Sequence, residues 1–271
     1  TQISKVWAQK PAPYRLSGRR REYVTGHLSI LSMPFNDPLQ ISRAFLATLG
    51  TRMFVHYADR IPTGGAALIV SNHRSFMDAP LLMAALGRPI RFACHHYMTQ
   101  VPVLREFVHH LGCLPLQAKG QQQHRFFRRA RTLLQQQQAI GVFPEGASPM
   151  VRLTDPTQVQ PFHPGFAHLA LTARVPDLVV LPVAIAPIEE QVYSAIPVRV
   201  LSWFDPSEPD FEQDSWHPVV FYRRVNVAIA RPHWIPSHHW QHCSRKQAKT
   251  QIDELMNYCD SEISALLGDL S

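Results

Sequence analysis

Four cysteines in 271 residues, at 94, 113, 243 and 259, are too few to staple a scaffold, and their spacings fit no metal-ligand pattern. They are expected to be reduced thiols in a cytosolic compartment. Long apolar runs are missing too: none reaches the ~18 residues that a membrane span needs. The richest, "LVVLPVAIAPI" at 178–188, follows Asp177, contains two prolines and reads as a core strand. No apolar segment stands behind the amino-terminal charges, so no signal peptide is expected, and any membrane contact should be peripheral. The chain also lacks internal repeats, any recognised nucleic-acid module and a G-x-S-x-G nucleophile elbow. The last absence argues against a serine hydrolase triad.

What is present suffices for one substantial core. Hydrophobic residues make up 45% of the chain, and its length is near the upper limit for one domain, so a single domain with appendages is expected. The formal charge is +7, and the excess is concentrated at the amino end. Residues 1–52 hold Lys5, Lys10, Arg15, Arg19, Arg20, Arg21, Arg43 and Arg52 against Glu22 and Asp37, with Trp7, Tyr14, Tyr23 and Leu28 to Leu31 interleaved. Such an arm suits an anionic membrane surface, an acidic carrier protein or nucleic acid; a plain solvated tail is the simpler account. Fifteen histidines include adjacent pairs at 95–96, 109–110 and 238–239. Neighbouring side chains diverge on helix and strand alike, so these pairs do not share an ion, and no metal is expected.

Residues 1–35 read as irregular. "NDPLQISRAFLATLGTRMFVHYADRI" then places apolar residues at 39, 41, 45, 46, 49, 53 and 54, close to helical spacing. With Asp37 as cap and Pro38 in the first turn, this predicts a helix over 37–54. Strands at 66–71, 90–94, 112–116, 139–143 and 178–185 alternate with helices at 78–86, 102–111, 121–138 and 164–174. The glutamine runs at 121–123 and 135–138 fall on the exposed face of one helix. A proline- and acid-rich connection over 187–218, a late strand over 219–230 and a closing amphipathic helix with apolar residues at 248, 252, 255, 259, 263, 266 and 267 complete the pattern. The expected fold class is α/β: a largely parallel mixed sheet flanked by helices, with a basic arm plus helix over 1–49, a main domain over 50–271 and a carboxy-terminal amphipathic helix.

The chemistry is expected in "ALIVSNHRSFMDAPLLMAALG", residues 67–87. A buried strand ends in Ser71-Asn72-His73, and Asp78 then opens a helix that Gly87 should stop. Asp78 sits where a helix cap belongs, and from there it can also reach a histidine in the loop. His73 has no comparable structural role. Loops at the carboxyl ends of parallel strands carry the active sites of such sheets, and a neutral imidazole held by a carboxylate is a general base near neutral pH. Ser71 and Ser75 lie nearby without a nucleophile's context, so the substrate is expected to bring its own hydroxyl. A second element, "GVFPEGASP" at 141–149, is on its own ordinary turn chemistry, with Pro144 and Gly146 where a type I turn accepts them.

Together these segments resemble the glycerolipid acyltransferase family. Asn72-His73-x4-Asp78, Phe143-Pro144-Glu145-Gly146 some 70 residues on, "PFHPGFAHLAL" at 161–171 and "VVLPVAIAP" at 179–187 keep the family's order and spacing from about residue 50 to 190. The resemblance implies that His73 deprotonates an acceptor hydroxyl, which attacks the thioester of an acyl-CoA or acyl carrier protein. Asp78 would orient the imidazole, and donors near the strand ends would stabilise the oxyanion. Asn72, Ser75, Phe143, Pro144, Glu145, Gly146 and Lys119 would line the substrate site, with Glu145 and Gly146 matching the family's acceptor-binding loop. It implies no cofactor beyond the acyl co-substrate. The implied partners are a membrane lipid acceptor, an anionic membrane surface and acyl carrier protein, at the cytoplasmic face of a membrane.

Two departures bear on the acceptor. The family continues Phe-Pro-Glu-Gly with Thr-Arg-Ser, where this chain has Ala147, Ser148 and Pro149, and "GCLPLQA" at 112–118 ends in Ala118 where the family commonly has arginine. Those arginines are associated with the acceptor phosphate, for which a guanidinium fork is well suited. Lys119, Arg152 and His163 are the cations nearby, and none occupies the family's position. A lysophospholipid, a glycolipid or another membrane-borne alcohol is therefore the expected acceptor. The competing readings are a non-catalytic lipid-binding or membrane-assembly protein on the same fold, and a thioesterase or phospholipase using water; nucleic-acid binding ranks last.

Overall fold

The computed structural model describes residues 21–24, 37–95, 98, 100, 102–116, 123–146, 148–197, 216–236 and 245–270. A nine-stranded sheet forms its centre, built from β1 (Arg21–Val24), β2 (Arg52–His56), β3 (Ala67–Ser71), β4 (Ile90–His95), β5 (Leu114–Leu116), β6 (Ala139–Val142), β7 (Leu178–Pro197), β8 (Trp216–Ile229) and β9 (His233–Ile235). The order across it is β1-β2-β8-β7-β3-β6-β4-β5, with β9 added to β7. Strand β3 pairs in parallel with both β6 and β7, β4 with β5 and β6, and β2 with β8. The pairs β1–β2, β7–β8 and β7–β9 are antiparallel. This is the mixed, largely parallel sheet that the alternation of elements implies.

Every residue of β3 and of β6 is buried. Strands of that composition need cover on both faces, and helices supply it. Helices α1 (Pro38–Thr48) and α2 (Asp78–Leu86) pack on each other, and α2 also meets β2, β4 and β8. Helices α3 (Pro102–His110), α4 (Gln123–Gln135), α5 (Ser148–Val151), α6 (Gly165–Thr172) and α7 (Arg245–Leu270) complete the set, with α6 touching β3, α4 and α7. The apolar stripe of α7 delivers Leu255, Cys259, Ile263, Leu266 and Leu267 to the core, as its spacing predicts. Among the described residues no helix is long and apolar enough to cross a membrane. Cys94, Cys113 and Cys259 are free thiols, and Cys243 lies outside the described residues.

Three stretches differ from their sequence reading. The helix expected over 37–54 stops at Thr48, because Gly50 turns the chain with φ of 66° and Thr51 donates its hydroxyl to Tyr222 O at 3.0 Å. The apolar residues at 53 and 54 belong to β2, where parallel pairing with β8 outweighs a spacing that also suits a helix. Residues 21–24, read as irregular, form β1 on the edge of β2. Within the connection expected over 187–218, residues 187–197 and 216–218 are strand and the residues between lie outside the described ones: β7 runs on to Pro197 and β8 begins at Trp216, and the two pair antiparallel with register shifts at Pro187/Glu189, Glu189/Glu190 and Ser194/Ile196. Proline and acid survive there because the irregularities absorb them and the strand pair is partly solvated, with Ile188, Val192 and Tyr193 exposed. Helix α1 is seated by Leu39 and Leu46 in the core and by Ser42, whose hydroxyl meets Met83 Sδ at 3.3 Å.

Candidate active site

Parallel pairing decides where the chemistry gathers. Because β3 and β6 are neighbours running the same way, the loops leaving Ser71 and Val142 emerge side by side at one edge of the sheet. His73 and Phe143 thereby come face to face, their rings stacked at 4.0 Å with 9° between planes. Phe92 of β4 stacks behind Phe143 at 5.3 Å, so the imidazole rests on a two-ring platform. Stacking on an aromatic face keeps the ring from turning.

The imidazole Nδ1–H donates to Asp78 Oδ2 at 2.8 Å. The His73 side chain keeps 17% of its exposure while Asp78 is fully buried, which leaves Nε2 as the nitrogen for a substrate proton. Oδ2 also accepts from the amides of Arg74 at 2.7 Å and Ser75 at 2.8 Å, and Oδ1 accepts from the Tyr222 hydroxyl at 2.9 Å. The expected cap role is corrected: Met77 is the N-cap of α2, without a side-chain cap bond. Helical Cα–Cβ bonds tilt toward the amino end, which aims a first-turn carboxylate back at the preceding loop.

Asn72 ties that loop to β7, its Nδ2 donating to Ile185 O at 2.9 Å and its Oδ1 accepting from Ile185 N at 2.8 Å. The Ser75 hydroxyl donates to Val220 O at 2.6 Å, and both Ser71 and Ser75 are buried, so neither offers a free nucleophile. Glu145 is a clamp between loops: Oε1 accepts from His73 N at 2.8 Å and Oε2 from Gln160 N at 2.7 Å. Burial raises its carboxyl above the usual glutamate range, against the lowering effect of those two amides. Gly146 closes the Phe143-Pro144-Glu145 turn with φ of 74°, and buried Pro144 accepts from His163 N at 2.8 Å. Lys119 lies outside the described residues.

The amides of His73, Arg74 and Ser75 are thus all engaged by carboxylates, so these strand-end donors are committed to holding the loop. Two partners of the loop went unread in the sequence. The Arg74 guanidinium meets Glu190 of β7 in a two-pronged pair, Nε to Oε2 at 2.8 Å and Nη2 to Oε1 at 2.6 Å, and also donates to Thr154 O. Tyr222 of β8 is 144 positions from Asp78, and burial, then the Asp78 charge, pushes its phenol well above the ordinary tyrosine range. Spacing carries no signal for either partner; each depends on the extended β7–β8 pairing.

Comparison with known proteins gives a consistent picture. Residues 52–186 match the family model described as Acyltransferase. Among solved structures the chain resembles the 1-acyl-sn-glycerophosphate (LPA) acyltransferase PlsC from Thermotoga maritima, with 20% identity, a TM-score of 0.55, and coverage of 86% of this chain and 78% of that one. No match was found among curated proteins.

Proposed function

We propose that this chain, whose residues 52–186 match the family model described as Acyltransferase, moves a fatty acyl group from an acyl-CoA or acyl carrier protein thioester to a hydroxyl of a glycerolipid-type acceptor. The observation that carries this reading is the His73–Asp78 pair at 2.8 Å at the mouth of β3, with both nearby serines buried. His73 Nε2 takes the acceptor's hydroxyl proton while the alkoxide oxygen bonds to the thioester carbonyl carbon. The tetrahedral intermediate then expels the thiolate, and the imidazolium returns its proton to the sulfur. Asp78 keeps the tautomer that leaves Nε2 basic, and stacking on the Phe143 face keeps the ring from turning between the two transfers. No acyl-enzyme is required.

The acceptor is a lysophospholipid, a glycolipid or another membrane-borne alcohol in preference to glycerol 3-phosphate or lysophosphatidic acid. Ala118 and Ala147-Ser148-Pro149 stand where phosphate-associated residues are expected, and this supports the choice. Peripheral binding at the cytoplasmic face, through the basic arm and an anionic lipid surface, would bring the site to such an acceptor.

The test is acyl transfer from labelled acyl-CoA and acyl carrier protein thioester to a membrane lipid extract and to pure acceptors. A labelled lipid is expected with wild type and should fall by about 10²–10⁴-fold with His73→Ala. Preferential use of glycerol 3-phosphate or lysophosphatidic acid would overturn the acceptor assignment. Absence of product from every donor, with lipid binding intact in both proteins, would leave a non-catalytic lipid-binding protein.

A further inference from the structure

We propose that Tyr222 is a positioning residue for acyl transfer, its hydroxyl holding Asp78 Oδ1 so that Oδ2 stays aligned with His73 Nδ1. This rests on the catalytic reading above, and it reaches beyond the 52–186 segment that carries the family match, since Tyr222 belongs to β8. A phenol placed only for packing would be replaceable by phenylalanine, because burying a hydroxyl is unfavourable unless it is paired. Here the side chain is 1% exposed and its hydroxyl is paired with the carboxylate that holds the base. The backbone fixes it as well: Tyr222 N donates to Met77 Sδ at 3.3 Å, beside the start of α2.

The division of labour at Asp78 makes the contact specific. Oδ2 is filled by His73 Nδ1 and the amides of Arg74 and Ser75, all from one loop, and Oδ1 depends on Tyr222. Without the phenol, Oδ1 would be a buried anionic oxygen lacking a donor, and the carboxylate would turn or recruit water. Phenol donation also draws charge away from the carboxylate, which moderates its pull on the imidazolium. The charged groups around the pair are His73 and Arg74 on the loop, Glu145 behind the His73 amide, and Glu190, the cross-strand partner of Tyr222 that is itself held by Arg74. Burial and the Asp78 charge keep the phenol protonated, so the donor persists throughout the working pH range.

The experiment compares wild type, Tyr222→Phe and 3-fluorotyrosine at position 222. It measures kcat and KM for both substrates, the acid limb of kcat/KM, and the imidazole titration of His73 by NMR in histidine-labelled protein assigned against His73→Ala. Tyr222→Phe should lower kcat by about tenfold with KM nearly unchanged. It should also move the acid limb and the His73 titration to higher pH. The fluorinated residue, a stronger donor of the same shape, should move both to lower pH, and it carries the test if the phenylalanine variant does not fold. An unchanged kcat and titration in Tyr222→Phe, whatever its melting temperature, would overturn the proposal, as would a rise in KM at constant kcat. The NMR titration needs no turnover, so failure of the acyltransferase reading and failure of the Tyr222 role are separable.

Discussion

The loop from Asn72 to Asp78 and the segment from Ser148 to His163 face the same sheet edge, yet they are built in opposite ways. In the first, three consecutive amides end on carboxylates, and Asn72, Ser75 and Asp78 are buried. In the second, Arg152, Leu153 and His163 are exposed, Leu153 by 57%. Glu145 joins the two through His73 N and Gln160 N. The loop that carries His73 and Asp78 is therefore over-determined, while the segment proposed to face an acceptor is more exposed. Of the two departures from the family pattern, Ala147-Ser148-Pro149 directly follows Glu145-Gly146 in the chain.

Asp78→Asn strikes the over-determined half hardest. It replaces one acceptor oxygen by an amide that must face a donor, so activity should fall by roughly 10²–10⁴-fold and stability by about 1–3 kcal/mol. Steady-state kinetics with urea unfolding would check both; a stable variant with near-normal kcat would dissolve the contrast. Gly141→Ala tests the platform under His73. An added Cβ would lie 2.2 Å from the Phe92 ring, so the Phe92–Phe143 stack must shift. A loss of about 1–3 kcal/mol is expected, with kcat reduced more than KM is raised. If melting temperature fell and kcat did not, the platform would serve packing alone.

The smallest effect concerns the joint. Folding raises the Glu145 carboxyl because burial outweighs its two amide bonds, so its contribution to stability is full below the ordinary glutamate value of about 4.3 and is lost as pH rises through the folded value. Relative to Glu145→Gln, wild type should therefore lose ground as pH rises from about 4 toward 7. Melting curves across that range give the sign, and a difference moving the other way would mean that the amides dominate over burial.

Much of the architecture was readable from local pattern. Strands β3, β6 and the first half of β7, and helices α2, α6 and α7, follow from apolar runs and stripes that allow one period. Strand β2 was hidden because Met53 and Phe54 also complete a helical stripe. The β7–β8 pairing beyond residue 187 was hidden because its prolines and acids resemble a loop until the two strands pair. At the site, the His73 to Asp78 spacing and the reach of Asp78 back to the histidine were both readable; that Met77 and not Asp78 is the cap was not, since cap and orienter occupy neighbouring positions.

Residue order alone set the pairing of His73 with Asp78, because residues five apart across a strand end and a helix start meet under local geometry. Beyond the loop amides of Arg74 and Ser75, what holds them came from the assembled sheet: the stack of His73 on Phe143 follows from parallel pairing of β3 with β6, and the bonds to Glu190 and Tyr222 follow from β7 and β8. Contacts between segments more than 100 positions apart leave no periodicity to read, since burial and hydrogen-bond pairing choose them only once the sheet has formed.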